Sequence, residues 1–187
     1  MSARRNTAVV WARALVLLAA TSFTAAALDI KWGTDDEFDE NKVEWKEIEA
    51  KIPPYPKDGN LVQFDAGPAS PHRFYIDTQS LSIGDDGVVR YVLVVKAAGG
   101  AVNVTYEGIR CDSREQKYYA VGHAGGGWTR ARNPQWRRIE YQDVNRHHGV
   151  LFTDFLCSGS SSERSPVASV KLIVERLKYG QPAKITE

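Results

Sequence analysis

The sequence predicts an α+β domain: an antiparallel β-meander of about five to six strands, two C-terminal helices packed on one face, and one disulfide. Strand-like runs of period two are joined by glycine-rich turns between residues 61 and 132. Two runs with helical spacing follow, beyond residue 143. Only two cysteines occur, Cys111 and Cys157, in a chain that opens like an exported protein.

The first 27 residues have the order of a secretory signal peptide. Arg4, Arg5 and Arg13 form a positive start, Ala14 to Phe23 a short apolar stretch, and Ala25 and Ala27 the small-residue positions before a cleavage site at Ala27/Leu28. An apolar stretch of about ten residues is too short to span a bilayer, which needs about 20. The chain is therefore expected to be exported and the segment cleaved. Removing this segment changes the formal charge from +1 to −2, with 21 basic against 23 acidic side chains. Neither value suggests a nucleic-acid partner. With 187 residues, 43% apolar and 25% charged, the composition suits one globular domain, expected over residues 52–187.

Residues 28–51 carry nine acids against Lys31, Lys42, Lys46 and Lys51, a net charge of −5. So little apolar area predicts a partly mobile segment, with a short helix around Val43, Trp45 and Ile48 docking on the domain. Pro53 to Pro56 must be extended, because each proline fixes its own φ and restricts its predecessor. They connect to a first strand at Leu61 to Phe64.

The meander follows, with strands expected at His72–Ser82, Val88–Lys96, Ala101–Cys111, Gln116–Val121 and Trp128–Arg132. Gly84-Asp85-Asp86-Gly87 and Gly99-Gly100 are hairpin turns, as is Ala124 to Gly127, which lacks the Lys-Ser/Thr of a phosphate loop. Val102, Val104 and Tyr106 alternate with Asn103, Thr105 and Glu107, predicting one buried and one wet face. In Val88–Lys96 both sets are apolar, which predicts a central strand covered on both sides.

Between Asp143 and Leu156, Val144, His148, Leu151, Phe152 and Phe155 share one helical face, with Asp143 as N-cap. Ser158 to Ser162 is a loop. Ser165-Pro166 then opens a second helix in the cap-then-proline order, Val167, Val170, Val174 and Leu177 form its stripe, and Gly180 caps it. Its β-branched content leaves a strand as the alternative.

In an exported chain two lone cysteines are expected to pair. Joining Cys111 to Cys157 would stabilise the fold by about 4 kcal/mol on the chain-entropy estimate. A redox or metal pair is the alternative, but the CxxC spacing and further ligands it needs are missing.

The runs FYIDTQSLSIGDDGVVRYVLV (74–94), VNVTYEGIRC (102–111), YYAVGHAGGGWTRARNPQW (118–136) and HHGVLFTDFLC (147–157) resemble the CNP-one-like (CNP1-like) family. These are exported proteobacterial proteins, named from a neisserial member. The resemblance spans roughly residues 43 to 158, includes both cysteines, and implies a periplasmic or envelope location. It implies no mechanism.

The chemistry-bearing residues assign no catalytic group, cofactor or metal. His147 and Asp154 lie two helical turns apart, a weak pattern without a third ligand, and His148 falls on the apolar stripe. There is no G-x-S-x-G elbow, and Asp85 and Asp86 sit where a turn favours aspartate. A hydrolase of unrecognised type using His147, His148 or Asp154 is the alternative to a non-enzymatic binding or structural module. The segment from Trp128 to Arg138 is the candidate binding surface, with Trp128, Arg130, Arg132, Trp136, Arg137 and Arg138. Guanidinium forks suit phosphate or carboxylate, and indole faces suit sugars or cations. The expected partner is an anionic envelope polymer or an envelope protein. The bland alternatives are arginines paired with the acidic segment and tryptophans filling the core.

Overall fold

The computed structural model describes residues 44–67, 70–140, 146–160 and 162–180. The signal-peptide reading and the acidic stretch up to Val43 lie outside the described residues, as do Asp143 and Val144. Val43 to Glu187 form one compact unit.

A short 3₁₀ turn at Asp58–Asn60 leads into an antiparallel sheet: β1 (Leu61–Phe64), β2 (Arg73–Ile83), β3 (Val88–Lys96), β4 (Val102–Arg110), β5 (Glu115–Gly122) and β6 (Trp128–Arg130). These six pair in sequence order, the expected meander, and β7 (Arg137–Arg138) adds a short pairing to β5. The turns use the predicted chemistry. Gly87 N–H donates to the Gly84 carbonyl at 2.9 Å and Gly126 N–H to the His123 carbonyl at 2.9 Å. Gly87, Gly100 and Gly126 all have positive φ, the conformation that only glycine adopts without penalty.

β3 is central and buried on both faces. Val89, Tyr91 and Leu93 belong to a core under the helices, and Val92 and Val94 to a second core on the opposite face. Two registers are broken by irregularities. In β2 the pairing slips between Asp77 and Ser82, where the Ser80 hydroxyl takes the Val92 N–H at 2.8 Å. In β4–β5 it slips between Tyr106 and Glu107. The expected wet face of β4 is a misreading at Glu107, which is 0% exposed beneath the helices. Alternation identified the two faces correctly, but it could not show that both are covered.

The helical layer comprises α1 (Arg146–Val150), continued by a π-helical turn (Leu151–Leu156), and α2 (Val170–Tyr179). The first expected helix therefore widens halfway. Thr153 gives its hydroxyl to the Gly149 carbonyl at 3.0 Å, a back-bond that competes with the α-helical ladder. The second helix does not open at Pro166. Arg164–Pro166 is a strand, β9, paired with β8 (Cys157–Gly159), and Ser169 is the N-cap, accepting from Leu172 N–H at 3.2 Å. The β-branched content of this stretch left a strand as the alternative, and a short one forms before the helix. Gly180 ends α2 as expected, with φ 80°. Ile173 and Leu177 are its buried residues, so Ile173 replaces Val174 at the centre of the stripe. Among the described residues no helix is long and apolar enough to cross a membrane.

Cys111, just past β4, and Cys157, at the start of β8, form the predicted disulfide with Cα atoms 5.6 Å apart. It fastens the end of the π-helical turn to the sheet.

Candidate functional site

The second core owes its cover to residues 44–56. The short helix expected around Trp45 and Ile48 does not form, and the segment runs as an irregular strap over the sheet. Its anchors are polar. Trp45 Nε1 donates to the Asp86 carbonyl at 2.8 Å, and Ile48 N–H to Asp86 Oδ2 at 2.8 Å. Arg90, 5% exposed, holds the same carboxylate and the Ile48 carbonyl. Burial alone would raise the Asp86 pKa, but the bonds from Arg90 and the Ile48 amide pull it below the ordinary value. Further along, Ala50, Ile52 and Tyr55 pack on the second core.

Glu47 is the other anchor. Its carboxylate takes Lys117 Nζ at 2.6 Å, Tyr119 Oη at 2.8 Å and Trp136 Nε1 at 3.3 Å. Burial opposes its ionisation, yet the Lys117 and Tyr119 contacts outweigh it and hold its pKa low. The same contact with Glu47, together with burial, pushes the Tyr119 phenol far above its usual range. Gly108 makes room for this arrangement, since a Cβ there would lie 2.7 Å from Tyr119 Oη.

The candidate segment is divided by these contacts. Trp136 is half-buried, edge-on to Trp45 at 5.9 Å and to Tyr119 at 6.5 Å. The cations against its ring, Arg110 and Lys117, belong to the protein itself. Trp128 is half-buried on Tyr55 with ring centroids 5.5 Å apart. Arg130, Arg132, Arg137 and Arg138 are exposed, and none lies within ion-pair distance of a described carboxylate. Arg137 and Arg138 are adjacent on β7 and so point to opposite faces of the sheet. The four arginines therefore do not share one face. Arg130 stands on a cleft of about 280 Å³ between the strap and the start of the β6–β7 connection, with Ile48, Glu49, Ala50 and Pro134 on its other walls.

The histidine candidates sit beneath the sheet's other face. His148 Nε2 lies 2.8 Å from Glu107 Oε2. Tyr91 Oη donates to the same oxygen at 3.0 Å, and Thr105 Oγ1 to Oε1 at 2.5 Å. Burial opposes charge on Glu107, but His148 and Thr105 overcome it and lower the pKa. His147 stacks on Phe74 at 4.9 Å and touches the His148 ring at 4.1 Å. Burial, then the neighbouring His148, depresses its pKa to about 4. Asp154 is exposed, whereas both histidines are buried. Among the described residues no three His, Cys, Asp or Glu side chains are arranged to hold a metal.

Sequence reasoning missed Glu47, Asp86, Arg90 and Glu107. Asp86 was read only as a turn residue, and Arg90 lay unremarked in an apolar run. An arginine inside such a strand must have a buried partner, and that was the available signal.

Residues 40–178 match the CNP1-like family. Cryptic neisserial protein 1 of Neisseria gonorrhoeae is 27% identical over 111 residues, 51% of this chain and 55% of that protein. The match thus spans about half the length of that curated relative. No solved structure matches the chain. The family match takes in the whole meander, both cysteines and almost all of α2, and the chain belongs to the CNP1-like family.

Proposed function

We propose that the protein is a non-enzymatic module of the cell envelope, exported to the periplasm by cleavage near Ala27/Leu28, which holds an anionic envelope polymer at the Arg130 cleft. One observation supports it above the others. Arg90, Arg110 and Lys117 each already hold a carboxylate, whereas Arg130 stands at the cleft with no described carboxylate in reach. Its planar fork suits phosphate or carboxylate. Ile48, Ala50 and Pro134 give the cleft an apolar side for the ligand's uncharged part, and exposed Arg132 lies two residues on.

The test is retention of the chain beginning at Leu28 on purified peptidoglycan sacculi and, separately, on lipopolysaccharide. Replacing Arg130 and Arg132 by alanine should release it from one of the two. Raising salt to about 0.3 M should weaken wild-type retention, because exposed charges are screened. Equal retention of wild type and variant on both materials would overturn the binding reading. Export is tested on its own, by sequencing the N-terminus of protein from the envelope fraction. A full-length cytosolic product would remove that part.

A further inference from the structure

The histidine cluster beneath α1 has no part in the cleft. It is unusual in its own right: a fully buried carboxylate and two adjacent buried histidines lie where one helix end meets the sheet. The contacts are unevenly strong. His148 is locked to Glu107, which also holds Tyr91 and Thr105. His147 is held by ring contacts, lying between Phe74 and the His148 ring, and its Nδ1 is buried without a hydrogen-bond partner among the described residues. At the other end of the same helical segment the covalent Cys111–Cys157 bond closes the attachment. The segment Arg146–Leu156 is thus held at its start by the stack of a neutral His147 and by the His148–Glu107 bond, and at its end by a disulfide.

We propose that this segment is an acid-releasable cap: a proton on His147 lifts its N-terminal end from the sheet while Cys157 keeps the other end fastened. The groups around the imidazole decide the sign. Phe74 on β2 offers an apolar face. On β4 Glu107 is the one carboxylate close enough to favour the charge, and it is engaged by His148, Tyr91 and Thr105. On β3 and β5 Tyr91 and Tyr118 lie against Glu107 and the His148 ring, both phenols with raised pKa values and neutral in this range. Beside it on α1 lies the His148 ring, 4.1 Å away, which further disfavours a proton on His147. Glu107 alone in this set favours imidazolium, and burial together with His148 outweighs it, so the protonated ring is more stable in water than in the stack.

The size follows from linkage. His147 binds its proton at about 4 when closed and at 6.5 when solvated, so the open form takes the proton first. Closure is therefore weakened as pH falls through 6.5 towards 4. Between pH 7 and pH 5 the ratio of open to closed cap rises about twentyfold. Glu107, whose pKa is depressed, acts in the same direction only below its ordinary value of 4.5.

Hydrogen–deuterium exchange of the full chain with its disulfide intact tests this. From pH 7 to pH 5, protection over residues 146–156, corrected for intrinsic exchange, should fall about twentyfold while β3 and α2 keep theirs. In His147→Phe, which keeps the stack and cannot take the proton, protection should not change. Unchanged protection in the wild type, a loss that spreads equally to β3 and α2, or the same loss in His147→Phe would each overturn it. Should that variant fail to fold, the ring-proton titration of His147 in the wild type decides. A midpoint that does not coincide with the loss of protection sinks the proposal.

Discussion

Arg90 lays its guanidinium against the Asp86 carboxylate through two hydrogen bonds, of 2.6 and 3.1 Å, at the end of the Gly84–Gly87 turn. A third, to the Ile48 carbonyl at 2.9 Å, extends the pair to the strap. Both side chains are almost wholly out of solvent. A hairpin turn, the central strand and a segment 42 residues earlier in sequence are thereby joined at one ion pair.

Breaking that pair on one side leaves a buried charge unmatched, which costs about 3–5 kcal/mol. Arg90→Ala and Asp86→Ala should each lower stability by that amount in urea titration. The double variant should cost less than the two single effects added, because the second removal leaves no further orphan charge. Asp86 has a depressed pKa, so its contribution is complete above 3.8 and is lost as pH falls through the lower folded value. Full additivity in the double variant would show that the two side chains act separately.

Glu107 offers a second case. Replacing it by leucine removes the acceptor for His148, Tyr91 and Thr105 at once, the first two of them buried. Each buried group left without a partner costs about 1–3 kcal/mol. Glu107→Leu should therefore lose at least about 2 kcal/mol despite its greater hydrophobicity, measured by thermal or chemical unfolding. A neutral or stabilising result would mean that the carboxylate is tolerated rather than required.

These two anchors mark where reading the sequence stopped working. Period two, turn glycines and the lone cysteine pair revealed the meander, the central strand and the disulfide, because each is a local signal. The strap did not come through, since what orders Glu47 and Ile48 lies 38 to 89 residues away. The same holds for Glu107. Alternation reports which side a residue faces and says nothing of what covers that side. At the candidate segment, residue types pointed to Trp and Arg together, and the fold separates them. Trp128 and Trp136 are bound into internal contacts, while Arg130 reaches a cleft.

The disulfide should matter most to the end of the helical segment. Cys111→Ser with Cys157→Ser should cost about 4 kcal/mol, the loop-closure value for the 46-residue separation. The loss should appear first as faster exchange around Leu156 and β8, since Cys157 joins them to the sheet. A measured cost below about 1 kcal/mol would mean that the strap and helices restrain the chain without it. Alkylation of the native protein before mass measurement should detect no free thiol.

The last prediction separates binding from support within the Trp128–Arg138 segment. Trp136 gives Nε1 to Glu47 and packs on Trp45 and Tyr119, so Trp136→Ala removes a wall of the strap as well as a hydrogen bond. Half-buried as it is, the indole should cost about 2–3 kcal/mol, below the roughly 3–5 of a fully buried aromatic. Trp128→Ala should behave alike, through its contact with Tyr55. Arg130→Ala and Arg132→Ala are exposed changes and should stay within about 0.5 kcal/mol of wild type. The diagnostic quantity is thus the pairing of two measurements on each variant, stability in urea and retention on the anionic polymer. Arginine variants that keep stability and lose retention place the ligand on the cleft. If retention instead follows stability across all four variants, what matters is an intact strap, and the arginines have no contact of their own.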